Sequence, residues 1–242
     1  MSDTSASPTS AIRGVVFDVN ETLSDMSLLA DVFAEVGAPR ALANTWFACV
    51  LRDGFALAAA GEARPFSDIA SEQLRVLLSG ADLSVSPDAA VSAIMTGFTS
   101  LDVHADVGPA LRALRASGIA VMTLSNGAAG VARALLERAG LSDTVDAFLT
   151  VEGNSRWKPA PDSYDVAVHA ADPENASTRP GFSADELLLV AVHPWDINGA
   201  AAAGLRTAWL NRDGSIYPAY FRRPDHELTD LRRLAAVVDG GV

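Results

Sequence analysis

The sequence predicts an α/β fold: a doubly wound, mostly parallel, Rossmann-like sheet with a helical cap inserted after the first strand. Three observations carry that expectation. Short apolar runs alternate with helical patterns over most of the chain, the order that builds βαβ units. These runs are apolar at consecutive positions, as strands covered on both faces must be. Residues 24–99, by contrast, show helical periodicity only and contain no convincing strand.

Taken in order, residues 1–10 (MSDTSASPTS) are polar and read as a disordered tail. The first strand is expected at 12–18 (IRGVVFD). Helical patterns follow at 26–36, 40–60, 67–79 and 87–99, separated by Gly37-Ala38-Pro39, Gly61, Pro65 and Ser86-Pro87. They divide the chain into a core, 11–23 plus 100–242, and a cap, 24–99. The core continues with strands at 119–125, 147–151, 187–193 and 206–210. Its helices are expected at 107–117, 128–139, 161–171 and 196–203.

Composition narrows the function. The net charge is −12 and Lys and Arg form no cluster, which argues against nucleic acid as a partner. No apolar run approaches the roughly 18 residues of a membrane span, and the polar N-terminus resembles no signal or transit segment. The expectation is a cytoplasmic globule. Cys49 is the single cysteine, so an internal disulfide framework and a multi-cysteine zinc site are excluded. In NTWFACVLRDGFALAAA it reads as a packing residue.

Ligands of such sheets bind at the carboxyl ends of the strands. Three strands end there on polar groups: Asp18, Ser125-Asn126 and His193. The segments carrying them are VVFDVNETLSD, TLSNG, RWKPAPDSY and VAVHPWDINGAAAAGL. In order and spacing these four resemble the haloacid dehalogenase superfamily from about residue 12 to 212, and most closely its type II L-2-haloacid dehalogenases.

The resemblance implies roles for particular residues. Asp18 corresponds to the nucleophile and Lys158 to the cation that keeps it ionised. Ser125 and Asn126 would contact substrate, Trp195-Asp196 forms the Trp-Asp pair, and Tyr164 stands six residues after Lys158. Thr22 would brace the turn after Asp18, and Asp196 would position the Lys158 ammonium. Superfamily phosphatases carry a second acid where Asn20 stands, and Asn20 cannot protonate a leaving group. Val192 stands where their last motif supplies one of two metal-holding acids, so no metal and no other cofactor is expected. A halide needs neither proton nor metal to leave. The implied substrate is a short 2-haloacid, attacked at C2 by Asp18, and a homodimer is compatible with the resemblance. A phosphate-ester or phosphonate hydrolase, and a non-catalytic binder of small carboxylates, are the alternatives.

The sequence departs from the dehalogenase pattern at three places, one of them Asn20, where many members have an aromatic residue. The halide-receiving arginine of the first long cap helix is replaced by Phe47. Arg52 lies about 140° around that helix and is no substitute. In its absence Asn126 and the positive edges of Phe47 or Trp195 are the candidates to receive halide. The usual Ser and Asn before Trp-Asp are Ala191 and His193. A histidine there suits a water-activating base at neutral pH, and Glu21, three residues after the nucleophile, could orient it. His104, His169 and His226 fall outside the motifs and carry no assigned role.

Overall fold

The computed structural model describes residues 11–153, 156–170 and 181–240; the N-terminal tail at 1–10 lies outside them. The elements in order are β1 (Gly14–Phe17), α1 (Leu29–Glu35), α2 (Leu42–Ala59), α3 (Phe66–Leu78), α4 (Pro87–Thr99), α5 (Val107–Ala116), β2 (Ala120–Ser125), α6 (Ala129–Arg138), β3 (Ala147–Thr150), α7 (Asp165–Val168), β4 (Leu187–Ala191), α8 (Pro194–Ala202), β5 (Arg206–Leu210), β6 (His226–Leu228) and α9 (Leu234–Val238). The strands form one sheet in the order β3-β2-β1-β4-β5-β6, and every pairing is parallel. The order reverses between β1 and β4, which opens a crevice at their carboxyl ends.

Alternate residues of each strand feed two different cores. Val15 and Phe17 pack with Leu111 and Leu114 of α5 and Leu135 of α6. Val16 packs in the other cluster, with Ile197 of α8 and with Phe33, Trp46, Leu74 and Ile94 of the cap. A period of two therefore puts Asp18, two residues after Val16, on the face that looks toward the cap. The cap helices hold together around fully buried Trp46, whose indole N–H donates to Ala70 O at 2.9 Å. Its ring meets Phe98 edge-on, centroids 5.4 Å apart. Ser86 caps α4 through the Ala89 N–H (3.3 Å), and Pro87 supplies its first residue.

Most boundaries shift by a residue or two, and three differences from the sequence expectation are larger. The fourth strand stops at Ala191, because Pro194 opens α8 and His193 becomes its extended N-cap residue. The helix expected at 161–171 is a 3₁₀ turn over Pro161–Tyr164 followed by α7; residue 171 is outside the described residues. Strand β6 and helix α9 were not foreseen, being three and five residues long, too short to show a period. Among the described residues no helix is long and apolar enough to cross a membrane.

Candidate active site

The site assembles where β1, β2 and β4 end side by side. Asp18 follows β1 and is buried, and its backbone N–H donates to Val190 O (3.0 Å). Its two carboxylate oxygens face different surroundings. Oδ1 accepts from Lys158 Nζ at 3.0 Å; Oδ2 accepts from Thr22 Oγ1 at 2.8 Å and from His193 Nδ1 at 3.1 Å. Burial alone would push this carboxyl up, but Lys158 and His193 together hold it far below the usual carboxylate range.

Lys158 is fully buried and bridges two acids, Asp18 and Asp196, the latter at 2.7 Å. Burial opposes its charge, yet the two carboxylates keep its pKa above the ordinary lysine value. Its backbone is held as firmly as its head group. Lys158 N donates to Asn126 Oδ1 (2.8 Å), and Asn126 Nδ2 donates to Lys158 O (3.2 Å). The neighbouring Trp157 packs on Gly54 of α2 so closely that a Cβ there would lie 2.2 Å from its ring. Asp196, in the first turn of α8, accepts from Tyr164 Oη at 2.5 Å. Gly199 makes that possible, since a Cβ would meet Tyr164 Oη at 2.6 Å and Pro159 O at 2.7 Å.

On the other side His193 lies between two carboxylates, with Nε2 donating to Glu21 Oε2 at 2.8 Å. Burial works against charging the ring, but the hydrogen bonds to Asp18 and Glu21 outweigh it and lift its pKa to about 9. The ring stacks on Trp195 (centroids 5.0 Å) and has Phe47 of α2 at 6.2 Å. Glu21 is a non-glycine residue at φ 61°, and its side chain is 41% exposed, so the carboxylate pair reaches water at this end.

A family model described as haloacid dehalogenase-like hydrolase matches residues 12–204. The chain belongs to that family. It is similar to (S)-2-haloacid dehalogenase 2 of Pseudomonas sp. strain CBS-3, 26% identical over 92% of this chain and 94% of that protein. Haloacetate dehalogenase H-2 of Moraxella sp. strain B is 24% identical over 88% of this chain and 92% of its own length. A structure of L-2-haloacid dehalogenase from Xanthobacter autotrophicus with chloropropionic acid covalently bound superposes with TM-score 0.81 at 25% identity, over 96% of this chain and all of that one.

Most of the residues that the haloacid dehalogenase pattern singled out converge on this crevice. Ser125, the last residue of β2, accepts from Gly127 N (3.0 Å). With Asn20 it lines a cavity of about 70 Å³ closed by Phe66, Met95 and Phe98 of the cap. Asn126, expected to meet substrate or halide, also ties down the Lys158 backbone through Oδ1 and one Nδ2 hydrogen. Cys49 is half-buried on α2. Sequence reasoning missed His104, whose Nε2 donates to Glu21 O at 3.1 Å, and Arg212, whose Nη2 donates to Thr22 O at 2.9 Å. Both bind backbone carbonyls, a role that no side-chain motif announces.

Proposed function

We propose that this protein hydrolyses short L-2-haloacids to 2-hydroxy acids through an ester on Asp18, without a metal. The observation that carries the reading is the divided environment of Asp18, a buried ammonium on one oxygen and a histidine–glutamate pair on the other. A magnesium ion of the phosphatase kind fits these residues poorly. The Lys158 ammonium lies between the carboxylates of Asp18 and Asp196, and Asn20 and Val192 offer no further acid.

In the first step an Asp18 oxygen attacks C2 and the carbon–halogen electron pair leaves with the halide. Lys158 keeps the nucleophile ionised, and Ser125, at the end of the neighbouring strand, contacts the substrate. With Phe47 in place of an arginine, halide departs toward the remaining amide hydrogen of Asn126 and the aromatic edges of Phe47 and Trp195. Esterification then removes the Asp18 charge, leaving Glu21 as the carboxylate bonded to the imidazole. Nδ1 loses its proton to solvent and becomes the base nitrogen, while Glu21 fixes the tautomer by holding Nε2–H. Water gives a proton to Nδ1 and attacks the Asp18 carboxyl carbon. Collapse releases the alkoxide, which takes the remaining water proton as the product hydroxyl. Asp18 returns as a carboxylate beside a protonated ring.

Incubation with L-2-chloropropionate in the presence of a chelator tests the reading through chloride release. Release that falls by about 10⁴-fold or more in Asp18→Asn is the expected result. No release from the wild type, with magnesium-dependent phosphate release from esters instead, sinks it.

A further inference from the structure

The water-activating pair depends on a turn closed locally by the Leu23 and Ser24 N–H groups on Val19 O (2.9 and 3.0 Å) and by Glu21 N–H on Ser24 Oγ (3.3 Å). Glu21 occupies the left-handed region, which costs a non-glycine residue on the order of 1 kcal/mol or more and persists only where the surroundings enforce it. Added enforcement comes from outside the catalytic crevice. Three consecutive carbonyls of the turn are each held by a distant residue. Glu21 O accepts from His104 Nε2 (3.1 Å), Thr22 O from Arg212 Nη2 (2.9 Å) and Leu23 O from His104 N (3.0 Å).

Arg212 lies just beyond β5 and is itself anchored. Its Nη1 donates to Asp106 Oδ2 at 2.9 Å, and the same oxygen accepts from Leu231 N at 2.9 Å. Asp106 is buried and the Arg212 side chain is only 21% exposed. The guanidinium thus uses two prongs of its fork, one on a fixed carboxylate and one on the turn, which a lysine cannot reproduce. Thr22 has a second tie, since its Oγ1 accepts from Val192 N (3.1 Å) while donating to Asp18. Glu21 has no comparable tie to the sheet. Loosening the turn therefore moves Glu21 more than it moves Thr22.

We propose that Arg212, anchored on Asp106 and acting with His104, is a positioning residue that clamps the turn presenting Glu21 to His193. The proposal rests on the reading of Glu21–His193 as the pair that hydrolyses the ester. It predicts a selective defect in the second half-reaction. In Arg212→Gln the single-turnover burst of chloride stays within about twofold of wild type. The steady-state rate falls between about tenfold and a hundredfold, and alkyl ester accumulates on Asp18 as a mass increase. Arg212→Lys, which keeps a charge beside Asp106, recovers part of the steady-state rate. A burst and steady state that fall together overturn the proposal, as do equal rates in all three proteins.

A second measurement does not require turnover. Nitrogen-15 NMR of the imidazoles, with His193 assigned by His193→Asn, reads the ring directly. In the wild type near neutral pH both ring nitrogens carry hydrogens; in both Arg212 variants the signal of the Glu21-facing N–H shifts or broadens. An unchanged His193 spectrum overturns the clamp. If the wild type releases no chloride, the functional reading fails while the spectrum still decides the clamp.

Discussion

The two oxygens of one carboxylate sit in two regions built on opposite principles. Around Oδ1, Lys158, Asp196, Tyr164 and Asn126 form a closed and buried network. Around Oδ2, His193 leads to Glu21 and from there to solvent. On the buried side one ammonium serves two carboxylates: Asp18 is held low, while burial, with the neighbouring Asp18 charge, raises Asp196 above its ordinary value. The open side contains a ring poised between two anions, one of which disappears when Asp18 is esterified. In the proposed reaction that difference separates the two half-reactions in space. Alkylation needs a permanently ionised nucleophile; hydrolysis needs a group that can change its protonation between steps.

The largest break in that comparison comes from the closed side. Lys158→Met removes the ammonium shared by Asp18 and Asp196 and leaves only the His193 ring, on Asp18, to offset two buried carboxylates, so one of them is expected to take up a proton. The chloride burst is expected to drop by about 10³-fold or more. Breaking a buried pair of this kind also costs about 3–5 kcal/mol, visible as a lower Tm. A Lys158→Met protein with a normal burst would show that Asp18 stays ionised without its ammonium.

A smaller and more selective break comes from the open side. Removal of a general base costs roughly 10²–10⁴-fold. His193→Asn should show that loss in steady-state turnover, keep the burst, and trap the ester on Asp18 in mass spectra. Glu21→Gln should do the same more weakly, since it disturbs the tautomer and leaves the ring in place. Loss of the burst in either variant would assign His193 to alkylation instead.

How far each side was legible in the sequence follows from how it is built. Asp18, Lys158, Tyr164 and Asp196 are read from motif spacing because side chains do the work on the closed side. On the open side Glu21 and His193 could be paired only by inference from the strand ends, and the 2.8 Å contact between them is what the fold supplies. Arg212 and His104 were invisible, since each holds main-chain oxygens whose positions depend on the tertiary fold. Asn126 looked like a ligand group because a polar residue at a strand end usually is one; the packed structure adds that its amide also ties down the Lys158 backbone. The sheet was legible through its apolar runs, apart from β6, where His226 and Glu227 interrupt any such run.

The mildest test reads the open side through stability alone. His193 is raised from an ordinary 6.5 to about 9 in the folded protein, against the effect of burial, by Asp18 and Glu21. A group raised in this sense contributes stability that is complete below about 6.5 and is lost as pH climbs through about 9. The contribution amounts to about 3 kcal/mol at most, reduced by water screening at the half-exposed Glu21 end. The Tm of the wild type should therefore decline by up to about 5–10 °C more than that of His193→Asn between pH 6 and pH 10. On the closed side the lowered Asp18 works in the opposite sense, contributing stability above its ordinary 3.8 that fades only in strong acid. Parallel Tm curves for the two proteins across the alkaline range would mean that the ring does not hold its proton between the two carboxylates. The base would then be ready before alkylation instead of being released by it.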